Sequence, residues 1–171
     1  MSEETILNQR RRRRMATLCV MCVPAMLLIV NGCALSSQAK RDHELAGKYY
    51  HGTRNLPQDE VQAAQLYTKA CKAGYSDSCA AACELGLAPA CNELGVLYEE
   101  GSGVRKSAAR AASHYLKACD GGARHGCYNL ARSLAYAPGA DERQLKRARR
   151  YYELACSMGM NEACQEVSEQ P

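Results

Sequence analysis

Phenylalanine and tryptophan are absent from this 171-residue chain, and its ten tyrosines all fall between Tyr49 and Tyr152. A core without the largest apolar side chains must be assembled from Ala, Leu, Tyr and small residues. Such a core suits closely packed helices but buries little apolar area per residue, so covalent cross-links matter more. A surplus of one charge is missing too. The formal net charge of +4 arises from Arg10 to Arg14, and without the first 32 residues 17 basic side chains face 16 acidic ones. A near-neutral domain lacks the basic face that nucleic-acid binding requires, which argues against nucleic acid as a partner. Long apolar runs are absent except for one stretch near the N-terminus. The four histidines, His43, His51, His114 and His125, follow no repeated ligand spacing. From Cys71 onward only Cys79-x3-Cys83 offers the close cysteine pair that zinc favours, so no metal or other cofactor is expected.

The single apolar run, residues 15–30, follows the five arginines directly. A positive flank, a short apolar region and a small residue before a cut is the layout of a secretory signal. Val30-Asn31-Gly32-Cys33 resembles the lipobox of a bacterial lipoprotein, with Gly32 before the cut and Cys33 as the lipid acceptor. The sequence therefore divides into a signal segment 1–32 (n-region 1–14, h-region 15–30), a lipid-anchored tether 33–41, a repeat domain 42–167 and a tail 168–171. The alternatives are a retained signal-anchor and an ordinary signal peptide. Both also place the remaining residues outside the cytoplasm. Ala34 and Leu35, with no Asp after Cys33, point to the outer membrane, facing the periplasm or the surface. Diacyl or triacyl modification anchors stably where a single acyl group is marginal. Cys19 and Cys22 form a C-x-x-C pair inside the apolar run and read as small apolar filler, since no βαβ pattern surrounds them.

The remaining eight of the eleven cysteines expose a repeat. Four segments share A-C-x-x-G-x-x-x-x-C, running Ala70 to Cys79, Ala82 to Cys91, Ala118 to Cys127 and Ala155 to Cys164, with glycines at 74, 86, 122 and 159. Upstream, Ala63 and Tyr67, Ala111 and Tyr115, and Ala148 and Tyr152 recur at steps of four, which places them with the cysteine on one helical face. Downstream, Cys91, Leu94, Gly95 and Tyr98 match Cys127, Leu130, Ala131 and Leu134 at helical spacing. Each unit is thus a helix, a glycine turn and a second helix. Cys91 to Cys127 to Cys164 steps by 36 and 37 residues, a period typical of stacked helical hairpins. The copy from Cys83 to Cys91 is compact, with one short helix serving two hairpins and Pro89 opening the helix that follows. Leu45, Tyr49 and Gly52 mark a half-unit at the N-terminal end, and 53–59 and 136–141 read as inter-repeat loops. The expected class is all-α, an α/α helical-hairpin solenoid.

Leu94-Gly95-x-x-Tyr98-x-x-Gly101-x-Gly103-Val104, followed by Tyr115-Leu-Lys117-Ala118-Cys119, resembles the Sel-one-like repeat, a relative of the tetratricopeptide repeat. With the added C-x7-C pairs the protein is similar to the cysteine-rich Hcp-like subfamily over about residues 41–167. The resemblance implies a right-handed α/α superhelix whose concave groove contacts proteins. It also implies an alternative, penicillin binding or weak β-lactamase activity, because some members have been described so. Eight cysteines permit 105 pairings, and repetition selects one: Cys71–Cys79, Cys83–Cys91, Cys119–Cys127 and Cys156–Cys164. The last turn of one helix and the first turn of its antiparallel neighbour can bring Cα atoms within the required ~4.4–6.8 Å. Cross-links at this density belong to an oxidising compartment.

No catalytic set emerges. Ser37-Gln-Ala-Lys40 has the letters of a β-lactamase Ser-x-x-Lys, but it falls in the tether, and no Lys-Thr-Gly or Lys-Ser-Gly accompanies it. Glu99 and Glu100 read as a solvated helix end, and Lys146 to Arg150 as a solvated basic face. The expected function is a non-catalytic, exported scaffold that binds a protein or peptide in its groove at the cell envelope, as a monomer held to the membrane through Cys33. Export to a mitochondrial intermembrane space, where related cysteine-rich repeat proteins assist respiratory-chain assembly, is disfavoured by the lipobox-like stretch.

Overall fold

The structure, a computed structural model, describes residues 37–169. These form helices α1 (37–51), α2 (Glu60–Lys72), α3 (Ser76–Glu84), α4 (Ala88–Glu100), α5 (Ala108–Asp120), α6 (Arg124–Ala135), α7 (Glu142–Ser157) and α8 (Asn161–Glu169). Consecutive helices from α2 onward pack against each other, and α4 also touches α2 and α6, which stacks the hairpins into an all-α solenoid. The signal segment 1–32 and Cys33 lie outside the described residues. Residues 37–41, assigned above to the tether, are helical, and Ala39 and Ala46 bury one face of α1.

Two kinds of junction occur. Helices that follow long loops begin with side-chain caps, which satisfy backbone N–H groups left free by the first turn. Asp59 accepts from Gln62 N–H at 3.0 Å, Ser107 from Arg110 N–H at 3.3 Å, and Asp141 with Gln144 forms a reciprocal capping box. Helices α3, α4 and α6 follow tight turns and have no side-chain cap. In every tight turn the glycine sits at φ of 81–84°, a left-handed conformation in which a Cβ is strained. Its N–H donates to the carbonyl of the first Cys, and the next N–H donates to the carbonyl of the preceding Ala, closing a Schellman motif four times. The residue after that glycine (Tyr75, Leu87, Ala123 or Met160) accepts the first hydrogen bond of the next helix.

All four bridges form, with Cα–Cα distances of 4.5–4.8 Å. Helix axes can approach this closely because small residues flank the sulfurs. Ala70, Ala82, Ala118 and Ala155 precede the first cysteines, and Ser78, Ala90, Gly126 and Ala163 precede the second, all buried. A Cβ on Gly126 would stand 2.5 Å from the Ala118 Cβ. Cys79 and Cys83, one turn apart on α3, bridge in opposite directions, to α2 and to α4. At the N-terminal end, α1 is held by polar contacts. Asp42, itself buried, pairs with Lys69 at 2.9 Å, and the His43 ring meets Ser78 Oγ at 2.9 Å between Tyr67 and Tyr75.

Candidate functional site

Packing positions recur in every hairpin, so a binding site must use positions that do not. One cleft of about 530 Å³ combines such positions with the recurring Ala111 and Tyr115. Glu99 reaches it from the end of α4, Ala108, Ala111 and Tyr115 from α5, Tyr128, Arg132 and Ser133 from α6, and Glu166 from α8, with Tyr136 to Pro138 closing one side. Tyr136 is 70% exposed. The Arg132 guanidinium lies 5.9 Å over the Tyr128 ring and has no carboxylate within ion-pair distance among the described residues.

Of two equivalent tyrosines, Tyr115 lines the cleft. Tyr115 and Tyr152 occupy the same place in successive hairpins, and both are completely buried. The Tyr115 hydroxyl donates to Glu99 Oε2 at 2.5 Å. Burial, and secondarily this bond to a carboxylate, pushes its ionisation well above the usual phenol range. Glu99 is therefore not simply a solvated helix end. The Tyr152 hydroxyl is buried and has no hydrogen-bond partner among the described residues. Its ionisation is also pushed up, first by burial and then by the charge of Glu166, while Arg132 acts in the opposite direction. The difference between the two tyrosines is encoded 36 residues apart: Glu99 in one hairpin is replaced by Ala135 in the next. At the same step Val96 becomes Arg132.

The other sequence candidates fall elsewhere. The bridged cysteines lie in helix-packing contacts rather than along the cleft. Ser37 and Lys40 lie in the first described turn of α1, where Lys40 is exposed. On the basic face of α7, Lys146 pairs with Glu142 at 2.7 Å and Arg149 with Glu153 at 3.3 Å, all exposed contacts of small energetic weight. His114, one of the four histidines without ligand spacing, stacks on Tyr98 with ring centroids 5.3 Å apart, and its Nδ1 is buried without a partner among the described residues. Burial first, then the charges of Lys117 and Arg110, hold its ionisation below the usual histidine range. A second hollow, of about 510 Å³, is apolar and lies along α2, lined by Val61, Ala64, Leu85 and Leu87 among others.

Set beside known proteins, the sequence matches the Sel1 repeat family over residues 39–75, 88–122 and 124–160. It is 29% identical over 147 residues to cytochrome c oxidase assembly factor 7A of Xenopus laevis, covering 84% of this chain and 59% of the frog protein. With human cytochrome c oxidase assembly factor 7 it shares 31% over 111 residues, 63% of this chain and 44% of the human protein. The chain thus spans roughly half the length of these relatives. Among solved structures, Helicobacter pylori cysteine rich protein B superposes with a TM-score of 0.51 at 30% identity, over 67% of this chain and 97% of that one.

Proposed function

This chain belongs to the Sel1 repeat family, and from that premise we propose that it is a non-catalytic, exported scaffold whose Tyr–Arg cleft binds a protein or peptide at the cell envelope. The observation that carries this reading is the division of labour among positions. Residues that recur from hairpin to hairpin are buried in packing, whereas Glu99, Arg132, Tyr136 and Glu166 do not recur and meet in one open cleft. Tyrosine and arginine are the side chains that protein interfaces favour at their energetic centres. Four bridges in a protein with so small a core support an oxidising compartment, and anchoring through Cys33 completes the reading.

The test is site-specific photo-crosslinking from position 136, with position 143 on the exposed face of α7 as control. Discrete adducts from 136 alone are expected, together with no turnover of a chromogenic cephalosporin by the oxidised protein. Equal adducts from both positions, or saturable turnover, would refute the reading. The likeness to cytochrome c oxidase assembly factors over 84% of the sequence favours a second reading, in which the bound partner belongs to a respiratory oxidase under assembly. Adducts that contain an oxidase subunit would select it.

A further inference from the structure

We propose that the outward faces of α5 and α7 form one basic surface that lies against an anionic lipid surface, with headgroup phosphates as its ligand. The envelope reading above supplies that surface, and the cleft plays no part. The domain is near neutral as a whole, but its charge is segregated. Residues 101–119 hold four cations and no carboxylate, and residues 143–152 hold five cations and none. Those nine are more than half of the 17 basic side chains from residue 33 onward. The absence of a basic face, expected from net charge, therefore does not hold on this side of the solenoid.

Helical geometry gathers these charges. Arg143, Lys146, Arg147 and Arg150 are exposed and spaced by three, four and seven from the first, on the face of α7 turned away from buried Ala148, Tyr152 and Ala155. In α5, Arg110 and Lys117 are exposed and turned away from buried Tyr115 and Ala118. A step of 37 residues carries Lys106 and Arg110 onto Arg143 and Arg147, so successive hairpins present the same pair of charges. A step of 48 back finds Gln58 and Gln62, and the surface starts with the second hairpin. At its edge Arg105, Lys106, Ser107 and Arg110 line a recess of about 270 Å³. Of the outward cations only Lys146 is in an ion pair among the described residues, with Glu142.

A cleft suits a peptide, whereas a face spread over two helices suits a plane. A basic amphipathic helix is the form that lies on anionic membranes, each Lys or Arg near the surface adding attraction. Leu154, one turn beyond Arg150 and 41% exposed, adds an apolar contact that an acyl boundary accepts and a free anion does not. The outward positions of both helices hold no aromatic ring on which a nucleobase would stack.

The experiment uses the full-length oxidised protein on vesicles of phosphatidylcholine alone or with about 30% phosphatidylglycerol, and mass spectrometry reads the rate of lysine acylation. Lys106, Lys117 and Lys146 should react at least about threefold more slowly on the anionic vesicles, with Lys40 and Lys48 on α1 unchanged, and about 0.5 M sodium chloride should remove the difference. Arg110→Gln with Arg147→Gln should reduce the protection, and the double Lys variant should keep it. Equal rates on both vesicles, equal protection of Lys40 and Lys48, or protection that survives the double Gln substitution overturns the proposal. So does equal protection on neutral vesicles by polyglutamate or duplex DNA, which would point to an acidic protein or a nucleic acid instead. Intact mass of the same sample reports acylation at Cys33, and crosslinking from position 136 reports the cleft. Failure here is therefore distinguishable from failure of the anchored-scaffold reading.

Discussion

Replacing each of the two equivalent tyrosines by phenylalanine gives opposite expected changes in stability. Tyr115→Phe deletes a bond from a buried hydroxyl to the Glu99 carboxylate. Hydrogen bonds to charged groups contribute about 1.5–3 kcal/mol. Because Glu99 is solvent-exposed and recovers hydration, the loss is placed near about 1.5 kcal/mol. Tyr152→Phe deletes a hydroxyl that is buried and unpartnered, so it removes a desolvation penalty of about 1–3 kcal/mol and leaves the ring packing intact. The two variants should therefore differ by about 2.5–4.5 kcal/mol, with the wild type between them. At about 3–5 °C per kcal/mol for a domain of this size, the gap in melting temperature is on the order of 10 °C. Denaturant unfolding followed by far-UV circular dichroism, with disulfides intact, measures both. Tyr115→Phe in a Glu99→Gln background should cost less than in the wild type, because the charged acceptor is already gone. Changes of the same sign and size in the two tyrosine variants would refute the hairpin-by-hairpin account.

Other outcomes follow from packing, charge and covalent structure. Converting Cys119 and Cys127 together to Ala should cost about 2.5 kcal/mol by loop-closure entropy, read as a lower denaturation midpoint; no change would show that the bridge constrains nothing. Gly126→Ala should destabilise by about 1 kcal/mol, because overpacking against Ala118 and the Cys119 backbone outweighs the helix-propensity gain; a raised midpoint would contradict this. Acid should weaken the fold through two groups. His114 titrates below its unfolded value of 6.5, so the unfolded state takes up the proton first and stability falls as pH drops from neutrality through the folded pKa. Asp42, lowered chiefly by its hydrogen bond to Lys69, adds stability above its ordinary value of 3.8 that is lost as pH falls through its folded pKa. His114→Gln should flatten the first of these losses and leave the second, as followed by pH-dependent unfolding. Intact-mass spectrometry of membrane-extracted protein should show cleavage before Cys33, an acyl adduct, and an eight-dalton gain on reduction of four bridges.

The stapled hairpins were readable because local chemistry determines them. An Ala-Cys pair, a glycine three residues on and a second cysteine eight from the first encode a helix end, a turn and a bridge without reference to distant residues. The tether was misjudged at 37–41 because the pattern of Ala39, Asp42 and Ala46 on α1 gains meaning only from the helices packed on it. The cleft was missed for a related reason. Glu99 and Tyr115 meet across a hairpin junction, and by itself Glu99 looks like any acid at a helix end. The signal was present in another form: written one hairpin above the next, the sequence changes Val to Arg and Glu to Ala within four positions. Periodicity identifies packing, and departures from periodicity identify the surface a partner would meet.

The double attachment of α3 also has a mechanical side. With Cys79 held to α2 and Cys83 to α4, the segment from Cys71 to Cys91 is cross-braced, and the other two bridges close loops of the same length. Each loop withholds about 20 Å of contour from an extended polypeptide, roughly 80 Å in all. Tension applied to the ends would unpack the hairpins yet leave four closed rings, each thicker than a single strand. The oxidised protein therefore cannot pass through a channel that admits one extended strand, so for an exported protein passage must come before oxidation.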